Sequence, residues 1–428
     1  MIYIAYIVLF LSFCNLLRMG MFLIGSDIHD IRKNLAVKKH NNNNNHVRAY
    51  NPLVTVLVPA HNEELVLRRN LDSVYASTYK NIELIIINDS STDRTYNIAR
   101  YFQRRYRHRF VRVRVLCVQV RGKARAMNAG LKYAKGSLFM CLDADSALSP
   151  QALEVAVNEF SNPKIACIAA NVKIMPDKGW LNLFQQVEYL IGHQAKKMEA
   201  LASIQYIVGG VGSMYRTQLV RNLGLYDTDT ITEDIDLSVK IISRYSGKYR
   251  VGYNPKIMAY TEAVGNIKGL LRQRFRWKYG RYQVFLKYRH LFYSRDKKYN
   301  KVLSWFYLPY ALFNELIGLL EPISFLFMIY LLITYTNIAV IASSFLVFVF
   351  YIIMYITGVT TGYSLAERIK FIISTPFVYV GIFILSFVEY TATIRGFKNL
   401  RKIYREYKSG GSVCEWRHVD RKGTAVVK

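Results

Sequence analysis

Three long stretches with few or no charged residues most strongly constrain how this chain of 428 residues can fold. They cover about 3–24, 303–358 and 371–391, and each reaches the roughly 20 residues that cross a hydrocarbon layer ~30 Å thick. The region between the first two, about 51–295, mixes polar and apolar residues as a globular domain does. The sequence therefore predicts a multi-pass membrane protein with an inserted soluble domain. We interpret residues 1–25 as a retained anchor because no small-residue cleavage site follows the stretch.

The number of spans in the C-terminal region, 303–394, stays open between three and four. Residues 303–335 are too long for one upright helix and short for two, and Glu321-Pro322 interrupts them. Three spans would leave the basic tail, 395–428, outside, against the charge rule for membrane proteins. Glu315 and Glu321 lie within this apolar region, where they either line a channel or lie among lipid headgroups.

The chain carries a formal charge of +29, from 58 Lys+Arg against 29 Asp+Glu. Nucleic acid and anionic lipid are both partners that such an excess could serve. The basic residues cluster beside the apolar stretches, in the linker 26–51 and in the tail 395–428, as is typical of cytoplasmic loops. We therefore expect membrane lipid and no nucleic acid as a partner. The soluble domain is expected on the cytoplasmic side of the plasma or inner membrane.

Short β-branched runs alternate with segments of helical spacing between residues 52 and 148. The runs lie at 53–58, 82–87, 111–118 and 138–142. Strands that alternate with helices predict a doubly wound, mostly parallel sheet. Ligands of such sheets bind beyond the carboxyl ends of the strands. Polar loops follow these runs, so we expect a binding site at this edge.

Acidic residues at the ends of the strands are the candidate ligands. Asp143 and Asp145 stand on a turn after the fourth run, where two carboxylates can bind a divalent cation that neutralises a nucleotide diphosphate. Asp89 closes the second run and can accept hydrogen bonds from a base or ribose, whereas Asp93 is expected to cap the next helix. Lys123 can reach phosphates. Ordinary polar turns and surface lysines are the alternative interpretation of each motif.

The segment Thr232-Glu233-Asp234 predicts the start of a helix, with Thr232 as its N-cap. Asp234 is the candidate general base, because transfer to a hydroxyl needs a carboxylate that takes the proton. Glu233 would orient Asp234 or raise its pKa. Asp236, further along the same turn, is expected to be solvated.

A basic and aromatic segment, 263–302, predicts an amphipathic stretch at the membrane surface. It holds Gln273, Arg276 and Trp277 in the box Gln-Arg-Phe-Arg-Trp. Trp277 can stack on a sugar ring, and the other two can donate to a departing diphosphate. A snorkelling arginine and an interfacial tryptophan explain the same pattern, and both interpretations can hold together.

Together these residues resemble the membrane-embedded processive glycosyltransferases of family 2, which include cellulose, chitin, hyaluronan and poly-N-acetylglucosamine synthases. The likeness to bacterial poly-β-1,6-N-acetylglucosamine synthases is carried by the segments 231–238 and 269–277. The family's Asp-Asp-Gly-Ser motif reads Asn88-Asp89-Ser90-Ser91 here, so one carboxylate and one glycine are absent. The second aspartate remains, and donor binding is expected to survive.

The resemblance implies an α/β GT-A-type fold, Rossmann-like with a mostly parallel sheet, for a cytoplasmic domain at 52–262 inserted between transmembrane helices. It implies that Asp143 and Asp145 hold Mg²⁺ or Mn²⁺ and that Asp234 acts as base beside Glu233. The implied donor-nucleotide residues are Pro59, Ala60, Glu63, Asp89, Lys123 and Asp143, and the implied acceptor and diphosphate residues are Gln273, Arg274, Arg276 and Trp277.

The function expected from this resemblance is an inverting, processive transferase that polymerises a UDP-sugar, in the first place UDP-N-acetylglucosamine, into a β-linked polysaccharide and exports it. The donor and the growing polysaccharide would be its partners. Two alternatives stay open. One is a family 2 enzyme that makes a single transfer to a lipid or lipid carrier, and the other is a non-catalytic membrane protein that binds sugar or nucleotide.

Overall fold

The computed structural model describes residues 2–42, 50–335, 338–358, 363–409 and 423. Its strands are β1 (Val54–Ala60), β2 (Ile82–Asp89), β3 (Arg112–Val118), β4 (Leu138–Cys141), β5 (Ser146–Leu148), β6 (Ile165–Ile174), β7 (Ser213–Arg216) and β8 (Arg250–Thr261). Its helices are α1 (Ile2–Asn42), α2 (Leu67–Tyr75), α3 (Thr95–Tyr106), α4 (Lys123–Tyr133), α5 (Ala152–Glu159), α6 (Trp180–Leu201), α7 (Thr217–Asn222), α8 (Glu233–Tyr245), α9 (Ile267–Lys287), α10 (Leu308–Ile317), α11 (Glu321–Tyr335), α12 (Ile338–Gly358), α13 (Leu365–Lys398) and α14 (Leu400–Ser409).

The strands form one sheet in the order β3-β2-β1-β4-β7-β6-β8-β5. The pairings among β1, β2, β3 and β4 are parallel, which confirms the α/β prediction for this half of the sheet. Beyond β4 the sheet is mixed, because β7 runs antiparallel to both of its neighbours and β5 runs antiparallel to β8. The prediction of a mostly parallel sheet is wrong for this second half. At 4 residues, β7 is too short to display a period in the sequence.

Alternation along the strands sends side chains into two apolar cores, one on each face of the sheet. Val56 and Val58 of β1 pack with Leu71 of α2 on one face. Leu57 of the same strand packs with Met127 of α4 on the other face. Because both faces are covered, β1 and β2 are buried along their whole length and read in the sequence as mostly apolar runs, in which the buried Thr55 and Glu83 bond to each other.

A layer of helices lies against the second half of the sheet. Phe184 and Val187 of α6 share a core with Phe371 and Val378 of α13. At the crossing of the two helices Gly381 lies against the ring of Phe184, and any larger residue at 381 would overlap this ring. This close approach fixes α13 against α6.

The first helix is longer than the predicted anchor at 1–25. It continues to Asn42, through much of the segment 26–51 that the sequence predicted to be a linker, and 43–49 lie outside the described residues. Tertiary contacts explain the extension: Asp30 pairs with Lys197 of α6 at 2.7 Å, and Lys33 pairs with Glu159 at 2.8 Å. These polar residues are thus one side of a helix contact, which composition alone could not reveal.

The described part of the C-terminal region contains no single helix that is both long and apolar enough for a membrane span. One pair of helical segments, Leu365–Val378 and Gly381–Lys398, has that length and composition together but is bent by 65°. The break predicted at Glu321-Pro322 lies instead at residues 318–320. Pro322 occupies the first turn of α11, where its missing N–H costs no helical hydrogen bond. The side chain of Glu321 lies outside the described part of the structure.

A substitution at Gly136, just before β4, tests the packing that leads to the Asp143 turn. A Cβ there would lie 2.6 Å from the backbone nitrogen of Thr55 and 2.6 Å from the carbonyl oxygen of Leu138, and backbone atoms cannot yield. We expect Gly136→Ala to lower the free energy of unfolding by about 1–3 kcal/mol.

The matched control is Gly192→Ala in α6, where no heavy atom lies within 4 Å of the added Cβ. It should raise stability by up to about 1 kcal/mol, because alanine favours helix over glycine. Denaturant unfolding of both variants in detergent gives the comparison. Equal losses in the two variants would contradict the packing described at Gly136.

Candidate active site

The loops after β1 and β2 lie side by side at the carboxyl edge of the sheet. Pro59 and Ala60 are the buried last two residues of β1, and Glu63 is half-buried in the loop that follows. The His61 ring lies 2.6 Å from the carbonyl oxygen of Asp89, which ties this loop to the end of β2. The sequence predicted this neighbourhood, since adjacent parallel strands end at the same edge.

Asp89 is completely buried, and its carboxylate accepts three backbone hydrogen bonds. The donors are the amides of Val120 at 2.9 Å, Arg121 at 3.1 Å and Gly122 at 2.9 Å. Charged acceptors make the stronger hydrogen bonds of proteins. Asp89 thus orders the loop directly before Lys123, and its direct contact with a nucleotide stays a prediction.

Asp93 directly precedes Arg94, the N-cap residue of α3, and its carboxylate serves the capping role that the sequence predicted. Its carboxylate oxygens accept the amide of Thr95 at 2.9 Å and the amide of Glu64 at 3.1 Å. The second bond also fastens the loop after β1 to the start of α3. Capping satisfies amides that have no partner within the helix.

The Asp143–Ser146 turn is held from behind by α2. The Asn70 side-chain amide donates to the carbonyls of Asp143 at 2.7 Å and Ser146 at 2.8 Å. The Asp143 carboxylate is 29% exposed, whereas the whole Asp145 residue is only 6% exposed and accepts from the Ser146 hydroxyl at 2.9 Å. Two carboxylates on a fixed turn supply the hard oxygen ligands that Mg²⁺ and Mn²⁺ prefer. These residues fit the predicted ion, and Asp143 and Asp145 would hold it.

Lys123 lies at the centre of the site, at the start of α4. Its Nζ is 2.6 Å from Oδ1 of Asp143 and 3.1 Å from Oε1 of Glu233. Burial alone would lower the pKa of Lys123, but these two carboxylates raise it well above its ordinary value. Lys123 is therefore a fixed positive charge between the Asp143–Ser146 turn and the start of α8.

Asp234 is held by two amides at the start of α8. Its Oδ2 accepts from the backbone of Gly210 at 2.8 Å, and its Oδ1 accepts from the backbone of Ile235 at 2.9 Å. Burial, followed by the negative charge of Glu233, raises the pKa of Asp234 to about 6. A carboxylate fixed in place with such a pKa is suited to general-base work near neutral pH.

The Gln-Arg-Phe-Arg-Trp box lies on the face of α9 that contacts Thr232, the residue directly before Glu233 and Asp234. Thr232 is the N-cap residue of α8, as predicted, although its side chain makes no capping hydrogen bond. It packs so closely on Gly280 that no Cβ fits there. Gln273, Arg276 and Trp277 precede Gly280 by seven, four and three residues, so they lie on the same face. Within the described chain, neither the Gln273 side chain nor the Arg276 side chain makes a hydrogen bond or an ion pair.

Arg274 is buried among carboxylates of two other helices. Its guanidinium is 5% exposed and pairs with Glu188 of α6 at 2.5 Å and Glu389 of α13 at 3.2 Å. It also covers the Trp277 ring at 4.3 Å from the ring centroid, which fixes the indole. The structure thus gives Arg274 a supporting role, because it lies on a neighbouring helix face. A contact of Arg274 with acceptor or diphosphate stays a prediction.

Sequence reasoning missed several residues that shape the site. Asn70 carried no signal, since one asparagine in a helix is unremarkable, and the backbone of Gly210 could only be suspected from the Gly209-Gly210-Val211-Gly212 run. Asp236 was expected to be solvated, which is wrong: it is completely buried and lies 3.0 Å from Lys287. Helical spacing from Gln273 and Arg276 could have placed Lys287 on the same face of α9.

Comparison with known proteins gives a consistent family. Residues 55–224 match the family model described as glycosyl transferase family 2. A poly-beta-1,6-N-acetyl-D-glucosamine synthase of Staphylococcus epidermidis is 31% identical over 296 residues, which are 68% of this chain and 66% of the relative. A second synthase of that name and species is 33% identical over 237 residues, 55% of this chain and 56% of the relative. The matches thus leave a third or more of each relative's length uncovered.

A solved structure shares the fold. The mannosyltransferase PcManGT of Pyrobaculum calidifontis, determined with GDP-Man and Mn²⁺, superimposes with a TM-score of 0.56 at 18% sequence identity. The superposition covers 90% of this chain and 98% of the mannosyltransferase. The mixed sheet described above is therefore a GT-A-like fold. The chain belongs to glycosyl transferase family 2, and its residues 55–224 form a glycosyltransferase domain.

Proposed function

We propose that the protein is a membrane-embedded, inverting and processive glycosyltransferase that joins sugars from a UDP-sugar donor into a β-linked polysaccharide. The observation that carries the proposal is the convergence of Lys123, the Asp143–Ser146 turn and the amide-held Asp234 in one buried site. The names of the relatives support N-acetylglucosamine as the sugar and a polysaccharide as product.

The donor would lie with its diphosphate against Lys123 and the Asp143–Asp145 turn. A divalent ion bound there, Mg²⁺ or Mn²⁺, would neutralise the diphosphate and improve it as leaving group. The solved mannosyltransferase of similar fold holds Mn²⁺, in keeping with this assignment. Lys123 adds a second positive charge whose position is fixed by Asp143 and Glu233. Arg276 is the further cation that α9 offers on this side.

Asp234 would act on the acceptor. The oxygen of an acceptor hydroxyl forms a bond to the anomeric carbon while the bond from that carbon to the diphosphate breaks. The hydroxyl proton goes to the Asp234 carboxylate, and UDP departs with the electron pair of the broken bond. A single displacement of this kind inverts the anomeric configuration. The amides of Gly210 and Ile235 keep the accepting oxygens in place, and Trp277 would support the acceptor sugar.

Membrane embedding and export are parts of the same proposal. The apolar stretches 3–24, 303–358 and 371–391, with basic residues beside them, support a multi-pass protein with a cytoplasmic catalytic domain. Glu315 is almost completely buried between Lys278 at 2.6 Å and Arg281 at 2.7 Å. A carboxylate that is paired with two cations inside the protein is tolerated in such a region, whereas the same group facing lipid would be costly.

The direct test is an activity assay on the full chain in nanodiscs with Mg²⁺ or Mn²⁺ and a panel of radiolabelled UDP-sugars. We expect a ladder of high-mass product from one donor. Asp234→Asn should reduce the rate by about 10²-fold or more, the usual contribution of a general base.

The control variant is Asp72→Asn, because Asp72 is exposed and, among the described residues, its carboxylate pairs with Arg68 alone, one turn away. It should keep the wild-type rate. Binding of UDP by Asp234→Asn checks that the variant is folded. A single lipid-soluble glycoside would overturn processivity, and turnover that survives in Asp234→Asn would overturn the assignment of the base.

The pH profile gives an independent prediction. The pKa of Asp234 is raised to about 6, so its protonated, inactive form persists to higher pH than for an ordinary aspartate. We expect kcat/KM to be constant above this value and to fall about tenfold per pH unit below it. Glu233→Gln removes a charge that raises this pKa, so the inflection should move to lower pH. An inflection that stays in place in Glu233→Gln would contradict the assignment.

A further inference from the structure

The face of α9 that carries the Gln-Arg-Phe-Arg-Trp box contacts α8 through its C-terminal half. The contacts are with the start of α8 and with the segment directly before it. Gly280 packs on Thr232 without space for a side chain. One turn further, the Gln283 side-chain oxygen accepts the backbone amide of Ile231 at 2.9 Å. At the end of the helix, Lys287 reaches the same segment. Three contacts at successive turns thus join α9 to residues 227–236, which we call the base segment.

Lys287 makes the strongest of these contacts. Its Nζ lies 2.8 Å from Asp227, 2.8 Å from Asp229 and 3.0 Å from Asp236. The three carboxylates come within 4.8 Å of one another, close enough to share one cation, and the ammonium of Lys287 is that cation. Burial alone would lower the pKa of Lys287, but Asp236 and its neighbours raise it, so the charge persists.

Asp236 transmits this contact to the catalytic residues. It is completely buried and lies in the first turn of α8, where its amide donates to the carbonyl of Thr232 at 3.0 Å. Glu233 and Asp234 belong to the same turn. A buried carboxylate keeps its place only beside its counter-ion, because an unpaired buried charge is costly. Fixing Asp236 therefore fixes the direction in which Asp234 points.

The box lies at the other end of the same face. Arg276 precedes Lys287 by eleven residues, about 16 Å along a helix that rises 1.5 Å per residue. A rotation or slide of α9 would therefore move Arg276 and Trp277 relative to Asp234. The position of α9 therefore determines the distance between Asp234 and the box residues.

We propose that Lys287 is a positioning residue that, through Asp236, sets the distance between the base Asp234 and the box residues Gln273, Arg276 and Trp277. This inference rests on the proposed function for its effect on rate. Lys287 itself touches neither substrate nor the reacting atoms, and Gln283 and Gly280 assist it by fixing the same two elements.

The chain offers a matched comparison in Lys240. Its side chain is 17% exposed, as is that of Lys287, and it pairs with the same carboxyl group, Asp227, at 2.5 Å. Lys240 belongs to α8, however, so its contact with Asp227 does not cross to α9. Removing Lys240 disturbs the charge of the cluster but leaves the joint between the helices.

The experiment compares Lys287→Met with Lys240→Met in the full chain in nanodiscs. For Lys287→Met we expect kcat to fall roughly tenfold or more while KM for the donor changes by less than about threefold, since misplaced groups lose rate and not donor binding. Lys240→Met should keep kcat within about twofold. Lys287→Arg, which keeps the charge, should recover most of the rate. Equal losses in the Lys287→Met and Lys240→Met variants, or a loss only in donor KM, would overturn the positioning role.

A second readout does not depend on activity. Deuterium exchange should become faster at 227–237 and 267–287 in Lys287→Met, and unchanged there in Lys240→Met. Gly280→Ala should have the same effect as Lys287→Met, because its Cβ would overlap Thr232. Unchanged deuterium exchange in both Lys287→Met and Gly280→Ala would contradict the proposed coupling of α9 to the base segment. If the wild type turns over no donor while exchange follows this pattern, the proposed function has failed and the joint stands.

Discussion

The ion pairs of Lys123 are the interaction on which the arrangement of the candidate site depends. Asp143 comes from the loop after β4, whereas Glu233 and Asp234 come from α8, and all three approach one buried point. Carboxylates repel one another there, and burial removes the water that would screen them. The Lys123 ammonium lies between them and offsets this repulsion. Asp89 in turn orders the loop that delivers Lys123, so the end of β2 decides where the positive charge stands.

The sequence predicts well the half of the fold in which each strand and helix has a recognisable pattern of apolar residues. The runs of β1 and β2 are buried and mostly apolar, and parallel strands must end at one edge, so Asp89 and Asp143 could be placed together from sequence. The second half lacks such signals. β7 has only 4 residues, and the polar part of α1 after residue 25 is helical although its composition is that of a linker, with Asp30 paired to Lys197 of α6.

The contacts at the site that the sequence did not predict have a common physical cause. Asp236 was expected to meet water, as a charge on a helix usually does, and no local pattern indicated the carboxylates around Arg274. Each is buried by a partner from elsewhere in the chain: Lys287 of α9 for Asp236, and Glu188, 86 residues away, for Arg274. Long-range ion pairs leave no local pattern, so only the tertiary structure reveals them. Helical spacing could have placed Lys287 on the box face, but not its partner.

α9 is the element in which these long-range pairs meet. One face joins the base segment through Gln283 and Lys287, and another presents Arg274, Lys278 and Arg281 to carboxylates of α6, α10 and α13. A helix paired on both sides cannot follow one neighbour without straining its contacts with the other, because packed interiors are not continuously deformable. A displacement of α6 or α13 against the sheet would therefore strain α9, whose Gly280 packs on Thr232 next to Glu233 and Asp234. The helical layer is thus connected through α9 to the start of α8.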